Sequence, residues 1–171
     1  MCNNSDYSAG PSLAPEPIGI IHTPWQEALG TPLQSSMGEE FEGFIEIYPQ
    51  FVDGLRDIEG IERLWLIYFL HRAVQPQLLV RPYLDPTVRG VFATRAPSRP
   101  NQIGLSCVRL LAREANRLRI SAIDILDQTP LLDIKPYVPD FDSFPSARTG
   151  WSEGRIHQSA LADNRFTTTE K

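Results

Sequence analysis

The stretch GVFATRAPSRPNQIGLSCVRLL, residues 90–111, decides the fold because it sets a polar, proline-containing loop between two apolar segments. Those segments, residues 90–93 and 105–111, contain β-branched and other apolar side chains that suit a pleated surface, and they predict two strands. Outward from this stretch, apolar or alternating segments predict further strands at residues 17–21, 43–47, 62–70 and 117–126. Only residues 51–60 suggest short helical turns. The sequence therefore predicts an all-β fold, a sandwich or a compact β-barrel.

Two prolines and two arginines characterise the central loop, residues 94–106. Pro97 and Pro100 fix their own φ angles and push the residues before them out of helical geometry, so we expect a rigid loop. The guanidinium groups of Arg95 and Arg99 suit fork-like recognition of a carboxylate or a phosphate. The alternative is a solvated connection whose arginines pair with acidic side chains.

The longest apolar run, residues 64–70, predicts a strand that is buried on both faces. His71 and Arg72 follow it at the strand end, where they either line a pocket or face water. Cys107 lies within the strand that follows the central loop, and this position predicts a small core residue.

Length and composition favour a single domain, because 171 residues with 42% hydrophobic and 22% charged side chains lie in the ordinary globular range. We predict a disordered tail at residues 1–16, a barrel domain at residues 17–145 and a C-terminal segment and tail at residues 146–171. No apolar stretch is long enough to cross a membrane, and the N-terminal residues do not resemble a secretory signal. The expected location is the cytoplasm.

Cysteines and histidines are few and widely separated. Cys2 lies in a polar segment far from Cys107, which argues against a disulfide between them. His22, His71 and His157 show no metal-ligand spacing, so we expect no metal site.

The net charge of −5 is unevenly distributed. Residues 1–71 contain eleven acidic and two basic residues, whereas residues 72–119 contain nine arginines and two acidic residues. This asymmetry either creates a local basic face for an anionic partner or is neutralised when the acidic first third folds against the arginines.

A second polar group of residues lies between prolines at 127–139. Asp127, Asp133, Lys135 and Tyr137 supply two carboxylates, an ammonium and a phenol among apolar residues. They form either part of a functional site or a structural turn held by a contact between Asp133 and Lys135.

Three segments together carry a family resemblance: His71-Arg72, residues 90–106 and residues 126–137. They resemble the YaeB/TsaA-like family, whose characterised members are tRNA methyltransferases called TrmO. The resemblance extends over about residues 17–142. It implies a compact β-barrel outside the Rossmann-type fold, which binds S-adenosyl-L-methionine and works as a homodimer. The implied reaction is methyl transfer to the N6 amine of threonylcarbamoyladenosine beside the tRNA anticodon.

The resemblance also implies the site residues. The cofactor contacts fall at Pro32, Leu33, Gln34, His71, Arg72, Arg95, Leu105, Asp127, Gln128, Thr129 and Pro130. The expected substrate contacts are Arg99, Asn101 and Lys135. No residue is singled out as the proton acceptor; His71, Asp127, Asp133 and Tyr137 are candidates, and the proton can equally leave to water.

Three positions depart from the family pattern. Leu33 stands where the family often has Arg, Gln102 where it often has Pro, and Gln128 where it often has Gly. A side chain at 128 would strain a turn that needs a positive φ or would crowd the cofactor. Two alternative interpretations therefore stand beside this one: a non-catalytic sensor of S-adenosylmethionine, and a methyltransferase for another substrate.

Overall fold

The computed structural model describes residues 14–155 and 161–166. Eight strands are present in this part: β1 (Gly19–His22), β2 (Glu42–Ile47), β3 (Arg63–Phe69), β4 (Leu79–Val80), β5 (Arg89–Gly90), β6 (Ile103–Glu114), β7 (Arg117–Ser121) and β8 (Thr129–Pro136). Six of them close into a barrel in the order β1-β2-β7-β6-β3-β8, and all neighbours are antiparallel. Strands β4 and β5 pair separately as a two-stranded sheet. The prediction of an all-β barrel is confirmed.

Helical structure in the described residues is limited to short turns. One α-helical turn, α1 (Pro139–Asp142), follows the barrel, and the remaining turns are 3-10 helices at Ser35–Met37, Pro49–Leu55, Val91–Ala93, Gly150–Ser152 and Asn164–Phe166. The second of these confirms the helical turns expected near residues 51–60. No helix among the described residues is long and apolar enough to cross a membrane. The predicted tail at residues 1–16 lies almost wholly outside the described residues.

Strand β3 shows how the barrel interior is filled. Leu64, Leu66 and Tyr68 point inward and are at most 6% exposed, whereas Phe69 on the outer face is 39% exposed. The prediction that this strand is buried on both faces was wrong. A closed barrel has a single interior, so the strand alternates between that core and a partly covered outer surface.

Two local predictions around the central loop also require correction. Residues 91–93 form a 3-10 turn and not a strand, because the amide and hydroxyl of Thr94 both donate to the Val91 carbonyl. Cys107 is half-buried on the outer face of β6, while its neighbours Ser106 and Val108 face the core. The alternation of the strand therefore places Cys107 outside the core.

A β-bulge changes the direction of the side chains in β8. Tyr68 is opposite Leu131, but Ile67 is opposite Asp133, so one extra residue lies in β8 between these pairs. The bulge brings Asp133 and Lys135 to the outer face of the barrel. Before the bulge, odd-numbered residues of β8 such as Leu131 face the barrel interior; after it, odd-numbered residues face outward.

Candidate functional site

A cavity of about 350 Å³ opens where β3 ends and where β6 and β8 begin. Segments that are distant in the sequence build its wall, including the loop near residue 33, the central loop and the connection from β7 to β8. Nine of the residues predicted to bind cofactor or substrate line this cavity: Pro32, Leu33, Gln34, His71, Arg72, Arg95, Arg99, Leu105 and Thr129. The structure thus brings together the earlier loop, the end of β3 and the central loop, with Thr129 as the contribution of the second polar segment.

The remaining predicted residues lie outside the cavity wall: Asn101, Asp127, Gln128, Pro130, Asp133, Lys135 and Tyr137. Asn101 is exposed in the central loop. Lys135 and Asp133 form an ion pair of 2.8 Å on the outer face, the contact that the structural interpretation expected. The Tyr137 ring packs edge-on against Trp65, with 5.7 Å between ring centroids.

Asp127 connects the start of β8 to the end of β1. Its carboxylate accepts hydrogen bonds from the Thr23 amide and from the Gln26 side chain, each at 3.0 Å. Partial burial acts to raise the pKa of Asp127, but these hydrogen bonds and those from Gln128 outweigh it and hold the pKa below its usual range. Asp127 is therefore ionised and fixes the loop that supports the cavity.

Gln128 adopts a φ of +61°, the left-handed conformation anticipated for a position where the family often has Gly. Its side chain is exposed, and its amide nitrogen lies 3.1 Å from His22 Nδ1. The side chain therefore points away from the cavity and does not crowd it, although the backbone conformation is strained. Gln102 likewise has a positive φ, of +38°.

Three guanidinium groups reach the cavity without a carboxylate partner. Arg95 donates to the Gln34 side-chain oxygen, and Arg72 donates to the Gln26 carbonyl. Arg99 donates to the carbonyl of Thr94 at 2.9 Å and also reaches two other carbonyls of its own loop. Among the described residues, no ion pair to a carboxylate is formed by these three arginines.

The arginines on the outside of the barrel have different surroundings. We call five of them the outer-wall arginines; each lies within 4.0 Å of a glutamate from residues 39–62. They are Arg63, Arg109, Arg113, Arg117 and Arg119. The sequence left two alternatives for the basic segment: a basic face for an anionic partner, or neutralisation by the acidic first third. Both occur, because glutamates neutralise the arginines of the outer wall and leave the cavity arginines without a carboxylate partner.

His71 is held at the cavity wall by a hydroxyl group. Thr129 Oγ1 donates to the Leu126 carbonyl at 2.7 Å, and its oxygen lies 3.4 Å from His71 Nδ1. Because the Thr129 hydrogen is already donated, we assign the proton of neutral His71 to Nδ1, which leaves Nε2 as an acceptor. Partial burial and the Arg72 charge lower the pKa of His71, which favours this neutral form.

Sequence reasoning missed three hydrogen-bonded polar side chains at the cavity wall. The Tyr68 hydroxyl lies 2.9 Å from Ser106 Oγ, and Ser106 donates to Asp124 Oδ1 at 2.6 Å. Burial raises the pKa of Asp124 to about 6, although Ser106, nearby backbone amides and the Arg95 charge oppose the rise. An isolated carboxyl between two core isoleucines, Ile123 and Ile125, was the sequence signal available for this residue.

A glycine on β6 makes room for the Tyr68 ring in this group of hydrogen-bonded side chains. Gly104 on β6 pairs with Tyr68 on β3, and a Cβ atom at residue 104 would lie 2.1 Å from the Tyr68 ring. Only a residue without a side chain leaves room for the aromatic ring at this point.

The C-terminal segment also contributes to the cavity. Ala162 and Phe166 line the wall, and Ala162 exchanges backbone hydrogen bonds with the early loop, to the Thr31 carbonyl at 2.8 Å and from the Gly30 amide at 3.0 Å. Sequence reasoning assigned no site residue to this segment. Over the described ranges, no group of three or more His, Cys, Asp or Glu side chains is arranged to hold a metal ion.

Comparison with known proteins gives a consistent family match. Residues 20–143 match the family model of the tRNA-methyltransferase O N-terminal domain. A probable S-adenosyl-L-methionine-binding protein of Pyrococcus abyssi is 53% identical over 152 residues, which cover 88% of this chain and 83% of that protein. The tRNA (adenine(37)-N6)-methyltransferase of Escherichia coli is 32% identical over 172 residues, with 91% of this chain and 73% of that enzyme covered.

A solved structure shares the fold. The crystal structure of TrmO from Pseudomonas aeruginosa superimposes with a TM-score of 0.70 at 40% identity. The match covers 82% of this chain but only 62% of that chain. This chain therefore corresponds to less than two thirds of the Pseudomonas protein.

Proposed function

This chain belongs to the tRNA-methyltransferase O family, and on that premise we propose that it methylates tRNA with S-adenosyl-L-methionine as the methyl donor. The proposed target is the N6 amine of threonylcarbamoyladenosine beside the anticodon, and this substrate implies a cytoplasmic location. The cavity carries the proposal, because it gathers unpaired guanidinium groups and apolar surface from three distant segments.

The residues in the cavity fit the chemistry of this cofactor. S-adenosylmethionine combines a carboxylate, two positively charged centres and a flat adenine, and when bound it supplies an activated methyl group. The wall offers guanidinium groups for an anion, the carboxyl of Asp124 for a cation, and apolar surface from Pro32 and Leu105 for the base. The wall thus offers suitable groups for the carboxylate, for one cationic centre and for the adenine.

Arg95 is the proposed ligand for the cofactor carboxylate. Its side chain is exposed to the cavity and is held by the amide oxygen of Gln34, which orients the guanidinium without neutralising it. Arg99 is more strongly tied to its own loop, so we assign it to shaping the loop and to the substrate side of the cavity. Asn101 and Lys135 are exposed and remain proposed contacts for the tRNA.

His71 is the proposed proton acceptor. The N6 amine loses a proton when it is methylated, and His71 Nε2 is the lone-pair nitrogen that the contact with Thr129 leaves available. Asp127 and Asp133 lie outside the cavity wall and Tyr137 packs on Trp65, so each would need a rearrangement or a second copy to reach the amine.

A homodimer is proposed through the outer face of β3 and β6. Phe69, Ile103 and Leu105 lie close together there, with exposed fractions of 39%, 44% and 53%. Because Ile103 and Leu105 also line the cavity, a second copy on this face would lie beside the cavity mouth. Replacing Phe69 with Glu should convert a dimer into a monomer in analytical ultracentrifugation; a wild-type monomer would contradict the proposal.

Mass spectrometry of tRNA nucleosides tests the activity. Threonylcarbamoylated tRNA is incubated with the protein and S-adenosylmethionine, and a methylated threonylcarbamoyladenosine is the expected product. The same tRNA lacking the threonylcarbamoyl group should remain unmodified. Cofactor binding by calorimetry without any methylated nucleoside would instead support a sensor, and a different methylated nucleoside would indicate another substrate.

A further inference from the structure

We propose that Asp124 recognises a positively charged centre of the bound cofactor, so that the cavity orients a zwitterionic ligand between Arg95 and Asp124. The inference deepens the proposed function and rests on it for the identity of the ligand. Both residues line the same cavity, and no ion pair joins these two described side chains. The two side chains therefore offer opposite charges to a ligand in one cavity.

When Asp124 is ionised, its hydrogen bonds with Ser106 and Tyr68 have one direction. Ser106 has a single hydroxyl hydrogen and donates it to Asp124 Oδ1 at 2.6 Å. The Tyr68 hydroxyl, 2.9 Å away, must therefore donate to Ser106 Oγ. The two buried hydroxyl groups thus donate in series, Tyr68 to Ser106 and Ser106 to the carboxylate.

This arrangement stabilises the ionised form of Asp124. A carboxylate that accepts a charge-assisted hydrogen bond is favoured over the neutral acid, and the second hydroxyl strengthens the first by polarisation. Tyr68 is only 6% exposed and Ser106 only 3%, so water does not compete for either group. Ser106 holds Oδ1 of the carboxylate, and Asp124 itself lines the cavity.

The groups that act on Asp124 come from several elements. Tyr68 reaches it from β3 through Ser106 of β6, Arg95 acts from the central loop, and the Ser35 amide acts from the 3-10 turn Ser35–Met37. With a pKa of about 6, the carboxyl is ionised at neutral pH and neutral in moderate acid. Cofactor affinity should therefore fall as the pH is lowered through 6.

The ligand offers two possible cationic centres, the sulfonium and the α-ammonium group. Both centres occur in S-adenosylmethionine, S-adenosylhomocysteine keeps only the ammonium group, and 5′-methylthioadenosine has neither. Comparing the three ligands therefore separates charge recognition from binding of the adenosine part.

The test is isothermal titration calorimetry of the Asp124→Asn variant with these three ligands at neutral pH. The variant should lose about tenfold or more in affinity for S-adenosylmethionine, with little change for 5′-methylthioadenosine. An unchanged affinity for S-adenosylhomocysteine assigns the sulfonium, and an equal loss assigns the ammonium group. Asp53→Asn, which removes an exposed carboxylate from the 3-10 helix Pro49–Leu55, is the matched control and should bind all three as the wild type does.

Equal losses for S-adenosylmethionine and 5′-methylthioadenosine, or no loss at all, would overturn the inference. If the Asp124→Asn variant does not fold, the same calorimetric comparison is made with the Ser106→Ala variant. This variant keeps the Asp124 carboxyl but removes its hydrogen-bond donor. We expect a smaller loss of affinity for S-adenosylmethionine and little change for 5′-methylthioadenosine. Unchanged affinity for S-adenosylmethionine would count against the role of Asp124. A wild-type protein that fails to bind S-adenosylmethionine at millimolar concentration overturns the proposed function itself, which distinguishes the two failures.

Discussion

The outer wall of the barrel and the cavity both carry arginines, but only the outer-wall arginines are paired with carboxylates. Each outer-wall arginine lies against a glutamate, as Arg117 does against Glu46 at 2.7 Å. In the cavity, Arg72, Arg95 and Arg99 are held by carbonyl and amide oxygens, which orient a guanidinium group but leave its charge uncompensated. The difference shows which part of a basic segment is available to an anionic ligand.

The same contrast extends to burial and packing. Exposed ion pairs of the outer wall contribute little to stability because water and salt screen them. At the cavity, a carboxyl group, two hydroxyl groups and a tyrosine ring lie within a tightly packed floor. We therefore expect substitutions at the cavity to have large and specific effects and substitutions in the outer wall to have small ones.

The largest effect is expected for Arg95→Ala. Loss of a guanidinium that binds the cofactor carboxylate should weaken affinity for S-adenosylmethionine by about 10–100-fold, or about 1.4–2.8 kcal/mol. The melting temperature should change little, because the exposed side chain makes one hydrogen bond to Gln34. Calorimetry and thermal unfolding measure the two quantities, with Arg117→Ala as the outer-wall control. A large loss of stability with unchanged affinity would contradict the comparison.

Gly104→Ala should destabilise the fold by about 1–3 kcal/mol, because the added methyl group collides with the Tyr68 ring. Urea unfolding measures this change. Gly54→Ala is the matched control, since an added Cβ there meets no atom within 4 Å. Similar stability losses in both variants would show that the cavity floor is no more tightly packed than the surface.

Asp124→Asn should change how stability depends on pH. In the folded wild type the pKa of Asp124 is about 6, above the ordinary value of 3.8, so the folded state holds the proton more tightly than the unfolded state. That contribution to stability is present in acid and is lost as the pH rises through 6. The variant should therefore gain stability relative to the wild type as the pH increases. Urea unfolding at several pH values would contradict this if the two curves ran parallel.

The smallest effect is expected for Arg117→Ala. Its ion pair with Glu46 is exposed, and its guanidinium lies 5.1 Å from the centre of the Phe44 ring. Removal of the Arg117 side chain should lower the free energy of unfolding by less than about 1 kcal/mol, and by less still at high salt. Urea unfolding at low and high ionic strength measures both values. A loss as large as that in Gly104→Ala would remove the distinction between the two regions.

Several features of the site were predictable from the sequence. The prolines of the central loop predicted an irregular connection. The resemblance of the segments around His71 and Arg95 to the TrmO family implied that these two residues belong to one site, and both line the cavity. The glycine that the family often has at position 128 implied either a positive φ there or crowding of the cofactor, and the structure has the positive φ. The irregular loop depends on residues that are neighbours along the chain, whereas the shared site of His71 and Arg95 was implied by the resemblance.

The features that were mispredicted depend on which way a strand faces. Cys107 and the outer residues of β3 have apolar surroundings in the sequence, yet the barrel places them away from its core. Asp124 lies in the connection between β7 and β8, and closure of the barrel brings it to Ser106 of β6, which also contacts Tyr68 of β3. Periodicity shows that a strand alternates but does not show which alternate set faces inward.

The sequence by itself determined the all-β class, the short strands and the proline-containing loop, because backbone preference and side-chain period act over neighbouring residues. Only the tertiary structure decided which charges are neutralised. Arg63 and Glu39 are 24 residues apart, and Arg117 and Glu46 are 71 apart. Closure of the barrel brings these residues together and leaves Arg95 unpaired near Asp124, because the free energy of a charge depends on neighbours in space.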